Sequence, residues 1–226
     1  MYARTVNDRV LTFGVSGKLV RNSLLMFDRE THSLWSHLTG SAVQGPLRGA
    51  QLTVLPATQT PWGAWKTAYP ATRVLPHDYP GQTDSYEGYY AAEDPGILGR
   101  KRSDARLSAK ALVIGVRVMN LPKAFALDSV VRARVVNDTF ESLPLVVLAT
   151  SDGSASVFQR TLQGQTLTFE TAGKAIRDHE TGSTWDPVTG TATLGPLAGQ
   201  SLAPMAATTS FWFGWIDFFP GTALYK

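Results

Sequence analysis

The stretch DRETHSLWSHLTGSAVQGPLRG, residues 28–49, returns 150 positions later as DHETGSTWDPVTGTATLGPLAG, residues 178–199. The offset holds without a gap from 28 to 75, and nineteen of those forty-eight positions are identical. Among them are Asp28/Asp178, Glu30/Glu180, Trp35/Trp185, Trp62/Trp212, Trp65/Trp215 and Pro70/Pro220. Upstream the offset becomes 156: Arg4 matches Arg160, Thr5 matches Thr161, and LTF at 11–13 matches LTF at 167–169. The six-residue slip falls within NSLLMFD, which the second copy shortens. Self-similarity on this scale implies one supersecondary unit built twice. The second copy also extends back through 113–160, and roughly forty of those residues have no counterpart ahead of the first copy. The expected organisation is therefore a first repeat at 1–75 that lacks its N-terminal strands, a linker at 76–112, and a complete second repeat at 113–226.

Within each copy, β-branched and apolar segments recur every eight to twelve residues between Gly, Asn and Asp, a spacing that predicts antiparallel strands. In the second copy LPLVVLAT and ASVFQR flank SDGS, and Asp152-Gly153 suits a hairpin turn because glycine tolerates positive φ. Further strands are expected near 166–170, 183–186, 191–194 and 201–205, with GPLAG as a tight turn. One helix per copy is expected. In TPWGAWKTAYP, Thr60 can cap, Pro61 suits the first helical position and Pro70 stops the helix. Trp62, Trp65 and Tyr69 then share a face, as do Trp212, Trp215 and Phe219, and such aromatic faces normally pack into a core. A carbohydrate-stacking platform is the alternative. The fold class is mainly β (α+β): two tandem pseudo-repeats of antiparallel strands, each with one short Trp-x-x-Trp helix, the first truncated at its N-terminus.

The absence of cysteine excludes disulfides, thiolate metal sites and a Cys nucleophile. The longest apolar runs, such as ALVIGVRV, reach only strand length, so no transmembrane segment is expected, and MYARTVNDRVLTF has no signal-peptide core. A net charge of +3 is too small to argue for nucleic acid.

With LTFGVSGKL, LLMFDRETHSLWSHLTG, GPLRG, the Trp-x-x-Trp segments, VIGV and VVND in order, the chain resembles the exported bacterial proteins grouped as domain of unknown function 3179. The resemblance covers nearly the whole chain. It implies an extracytoplasmic location, periplasmic or secreted, and no established reaction. It also implies a Cys-Pro-x-Cys stretch, suited to metal or redox chemistry, on the hairpin before a strand ending in aromatic-x-Arg. Here that stretch is ATSDGSAS, residues 149–156, without sulfur, and in the first copy it would fall before Met1.

Four groups of residues are candidate sites. Asp28, Glu30, Asp178 and Glu180 read as Asp-x-Glu-Thr-x-Ser-x-Trp turns, whose Asp and Thr side chains bond nearby amides while Trp35 and Trp185 enter the core. The sharper alternative is a carboxylate pair on one strand face doing acid–base chemistry. In the linker, Asp84, Glu87, Glu93 and Asp94 could hold calcium, the one cofactor considered, although their spacing fits no EF-hand. Tyr79, Tyr86, Tyr89 and Tyr90 could stack on a sugar or peptide, or wrap one copy onto the other. The basic run Arg100, Lys101, Arg102, Arg106 and Lys110 reads as a solvated loop, and His32, His37, His77 and His179 form no metal motif.

No complete catalytic set emerges. The leading expectation is a non-catalytic binding or scaffolding module of the bacterial cell envelope, using the cleft between its repeats and the Tyr-rich linker, with a glycan or another envelope protein as partner. Two alternatives stand beside it. One is a fragment of a metal/redox or hydrolytic envelope protein with its reactive Cys segment upstream of Met1. The other is a structural subunit that self-associates through an open strand edge.

Overall fold

The computed structural model describes residues 1–74, 86–92, 95–96, 98 and 102–226. The architecture is mainly β, with several antiparallel sheets and four short helices among the described residues. In the leading half, β1 (Thr5–Val6) and β2 (Arg9–Val10) form a small hairpin. A four-stranded meander follows: β3 (Phe13–Val20), β4 (Ser23–Asp28), β5 (Leu34–Ser36) and β6 (Ala42–Gln44). A segment without helix or regular strand then leads into α1 (Trp62–Ala68), and α2 (Glu87–Ala91) lies in the connection to the trailing half.

The trailing half opens with β7 (Leu112–Val118), β8 (Leu121–Ala126) and α3 (Leu127–Ala133). The three-stranded sheet β9 (Val135–Phe140), β10 (Leu143–Ala149) and β11 (Ala155–Gln159) follows. Next come the hairpin β12 (Thr161–Leu162) and β13 (Gln165–Thr166), then a second meander of β14 (Phe169–Ala172), β15 (Ala175–Asp178), β16 (Thr184–Trp185) and β17 (Ala192–Leu194). Finally β18 (Ala207–Phe211) pairs with β7, α4 (Trp212–Phe218) follows, and β19 (Ala223–Tyr225) adds parallel to β8.

The apolar run of β10 is explained by burial on both faces. Leu145, Val147 and Ala149 pack toward β7, β8 and α3, while Val146 and Leu148 pack toward Phe158, Phe169 and Trp185. On the far face of the β7–β8 sheet, Trp212, Trp215 and Ile216 of α4 cover Val113 and Ala124. The leading half has its own smaller core around Leu11, Trp35 and Leu52.

The two meanders carry matching local geometry. Each has a register shift at its third strand, at Leu34/Trp35 and at Thr184/Trp185. The Trp35 indole donates to Asp28 Oδ2 at 2.8 Å, and Trp185 donates to Asp178 Oδ2 at 2.8 Å. Phe13 meets Trp35 edge-on at 5.7 Å, and Phe169 meets Trp185 at 5.5 Å. Isolated bridges fall at Tyr2↔Val54 and at Phe158↔Pro204.

Several expectations need correction. The trailing half holds α3 as well as α4, because LDSVVRA buries Val130 against β7 and β10. Thr60 does not cap α1; its hydroxyl lies 2.7 Å from Ser154 Oγ instead, and Pro61 is the N-cap residue. The aromatic faces of the two helices also differ. Trp212 and Trp215 are 0% and 2% exposed, whereas α1 has no buried residue and Trp62 is 50% exposed. The cause is what lies beneath them: α4 sits on β7 and β8, while α1 has no strand pair under it among the described residues.

Candidate functional site

The paired-carboxylate residues come first because their geometry is complete. Asp28 closes β4 and is fully buried. Its carboxylate accepts from the Thr31 amide at 2.5 Å, the Thr31 hydroxyl at 2.7 Å and the Trp35 indole. Burial pushes its pKa up, but these hydrogen bonds outweigh burial and hold it below the ordinary carboxylate value. Asp178 is lowered in the same way, by burial opposed by bonds from Trp185 and Thr181. Glu30 is exposed and lies in the turn after β4, whose last residue, Asp28, is buried. Its two oxygens accept from the Thr12 amide at 3.0 and 2.9 Å, which lowers its pKa. Glu180 accepts from the Thr168 amide at 2.8 Å. All four carboxylates are thus engaged by donors of their own meander.

The linker residues divide. Tyr79, Asp84, Glu93, Asp94 and His77 lie outside the described residues, as do Arg100 and Lys101. Glu87 is exposed at the first turn of α2. Tyr86 and Tyr90 are 62% and 60% exposed. Tyr89 and Tyr90 approach the Phe211 ring at 6.3 and 6.4 Å, so α2 rests on the end of β18. Lys110 bonds the Tyr89 and Ala92 carbonyls and lies 3.9 Å from the Tyr89 ring centroid. Arg106 pairs with Asp104 at 2.7 Å and covers the Trp212 ring. Among the described residues no cluster of three or more His, Asp or Glu could hold a metal ion. No helix among them is long and apolar enough to cross a membrane.

A cavity of about 690 Å³ opens between the two halves. One wall is Trp65 and Tyr69 of α1, their rings 4.4 Å apart, with Pro56–Gln59 beside them. The opposite wall is Ala155–Phe158 of β11 and Ala207–Thr209 of β18, with Val188 and Pro204 nearby. The halves touch along this line: Ser156 Oγ donates to Thr58 Oγ1 at 3.4 Å, close to the Thr60–Ser154 contact. No Asp, Glu, Lys or Arg lines the cavity among the described residues. Tyr2 reaches it and donates to the His37 carbonyl at 2.8 Å. Burial raises its pKa more than nearby Arg117 lowers it, so the phenol stays neutral. The lining therefore suits an uncharged ligand that offers faces to stack and hydrogen bonds to exchange.

A second, smaller cavity of about 290 Å³ lies against α4. Its lining Trp215, Phe219, Thr208 and Ala206 stand 150 positions after Trp65, Tyr69, Thr58 and Pro56. Its Leu38 and Val54 correspond in the same sense to Val188 and Pro204, and its Tyr2 to Phe158 at the upstream offset of 156. It is also lined by Gly115, Arg117, Met119 and Asn120 of β7 and its turn, and nothing equivalent lines the larger cavity.

Sequence reasoning missed His37 as a neighbour of the cleft. Its Nδ1 lies 3.0 Å from Ser23 Oγ and 3.1 Å from the Leu24 carbonyl. Ser23 is buried and does not line the cavity, and no carboxylate bonds the ring among the described residues. The pair therefore lacks the reachable hydroxyl and the oriented base that nucleophilic catalysis requires.

Fold and cleft together define a mainly β protein in two halves with an uncharged, aromatic-walled cavity between them. The family model described as Protein of unknown function (DUF3179) matches residues 1–222, and the chain belongs to that family. No curated protein and no solved structure matches the chain.

Proposed function

We propose that this protein is a non-catalytic binding module whose ligand sits in the cleft between two duplicated units. The envelope setting follows from the family resemblance. The observation that carries the reading is the 690 Å³ cavity, walled by the Trp65–Tyr69 pair and free of charged side chains among its described lining. Duplication is supported by the recurrence of the Asp–Trp hydrogen bond, the third-strand register shift and the isolated bridge in both halves. A non-catalytic role is supported by the Asp-x-Glu carboxylates, each satisfied within its own meander.

The test is titration with neutral oligosaccharides and neutral peptides, followed by isothermal titration calorimetry in wild type and Trp65→Ala. At least one ligand class should bind, and Trp65→Ala should weaken its affinity at least tenfold, about 1.4 kcal/mol. Silence across both classes refutes the reading, as does a response that Trp65→Ala leaves unchanged.

A further inference from the structure

We propose that the cleft is a strand-acceptor site: it takes an extended polypeptide strand of the β7 pattern, donated from outside residues 1–226. The inference rests on the cleft-binding reading and names the ligand class. The trailing half supplies the template. There, β7 pairs with β18 in the register Thr208↔Gly115 and Ser210↔Val113, and runs beneath Trp215. A Cβ on Gly115 would sit 2.2 Å from the Trp215 ring, so only glycine lets the strand pass at that level.

In the leading half the same parts are present without the strand. Trp65 and Tyr69 repeat the Trp215–Phe219 ring pair, at the same 4.4 Å. Residues 57–60 stand where β18 stands, yet none of their backbone N–H or C=O groups has a backbone partner among the described residues. The cavity is larger at this point, about 690 against 290 Å³, and the residues lining only the smaller one include Gly115 and Arg117 of β7, whose Ile114 meets the larger one. Accessible backbone without ladder partners beside apolar rings is a template for β-augmentation. The uncharged lining matches the continuous apolar run Leu112–Val116 of β7.

The geometry fixes which amides would engage. The Trp212 amide donates to the Ala111 carbonyl, so the Ser210 and Thr208 amides also face β7, by the alternation of antiparallel pairs. Their counterparts are Thr60 and Thr58. A donor strand would bond these two amides and place a glycine beneath Trp65.

The experiment adds a synthetic peptide of residues 111–126 to the intact protein and follows amide hydrogen exchange. The expected result is slowed exchange at Thr58 and Thr60, at least tenfold, together with a shift in tryptophan emission. A peptide carrying Gly115→Leu should bind at least tenfold more weakly, because its side chain meets the ring. No protection at millimolar peptide overturns the proposal, as does equal protection by both peptides. Concentration-dependent protection in the protein alone, with a dimer by sedimentation, assigns the cleft to a second copy and also overturns it. If oligosaccharides perturb Trp65 and the peptide does not, the strand proposal falls and the cleft-binding reading stands; if neither does, both fall.

Discussion

Trp65 and Trp215 occupy the same place in their helices, yet truncating them should have very different effects. Each indole donates to a threonine hydroxyl at 3.0 Å, to Thr72 and Thr222 respectively, and each ring meets an aromatic neighbour at 4.4 Å. The difference is burial. Trp215 is 2% exposed and lies over Gly115, whereas α1 contributes no buried residue. Burying a whole tryptophan removes roughly 150–250 Å² from water. At about 25 cal/mol per Å² that corresponds to roughly 4–6 kcal/mol. Measured Trp→Ala losses in cores run at about 3–5 kcal/mol because the site relaxes only in part. Trp215→Ala should therefore cost about 4 kcal/mol, and Trp65→Ala about 1 kcal/mol or less, as for a partly solvated residue. Urea unfolding followed by far-UV circular dichroism is the assay, since fluorescence changes whenever a tryptophan is removed. A loss of 4 kcal/mol is a large share of an ordinary domain's stability. Trp215→Phe therefore provides a milder companion, expected to lose about 1–2 kcal/mol with the buried indole hydrogen bond. Equal losses for Trp65→Ala and Trp215→Ala would refute the reasoning, because α1 would then already be covered and the cleft would have no vacant strand position.

Three further outcomes are expected. Asp28 and Asp178 have folded pKa values below the ordinary carboxylate value, so their contribution is fully present above about pH 4 and is lost as pH falls through the lower folded values. Urea midpoints measured from pH 6 downward should fall in that acid range, and Asp28→Asn with Asp178→Asn should flatten the decline. Gly45→Ala and Gly195→Ala should each destabilise by more than about 2 kcal/mol in thermal melts, since φ is +96° and +94° and the new Cβ would lie 2.7 and 2.8 Å from the Ser33 and Ser183 Cα atoms. Arg21→Ala should cost about 1 kcal/mol and speed amide exchange in α4, because Arg21 donates to the Asp217 carbonyl at 2.7 Å and covers the Phe218 ring.

Legibility in the sequence followed the range of the forces involved. The Asp-x-Glu-Thr-x-Ser-x-Trp turn was readable because most of its bonds close within seven residues, from Asp28 to Thr31 and Trp35. The longer reach of Glu30 to the Thr12 amide was not readable, since it depends on β3 returning beside β4. The GPLAG turn and the Asp152-Gly153 hairpin carry glycines at positive φ and announced themselves. The turns at Met119-Asn120 and Glu141-Ser142 adopt a two-residue left-handed geometry without glycine, so β8 and β9 were not bounded in advance. Helix α1 lies between Pro61 and Pro70, but its exposure was not legible, because amphipathic periodicity reports which face is apolar and not whether anything covers it.

The two departures from likeness between the halves are physically linked. In the trailing half the hairpin tip at Gly173–Lys174 is held by Arg134 at the end of α3, which donates to both carbonyls at 2.8 and 2.6 Å. Among the described residues the leading half has no helix in that role. Its β3–β4 hairpin is instead longer, and the added length carries Arg21 and Asn22 to a different anchor. Arg21 reaches α4, and Asn22 Oδ1 accepts from the Leu98 amide at 2.7 Å. Thr58 and Thr60 lean on β11 in the same way. The leading half thus gains through contacts with its neighbour part of the support that β7–β11 and α3 give the trailing half. Those contacts fix the hairpin tip and one margin of the cleft.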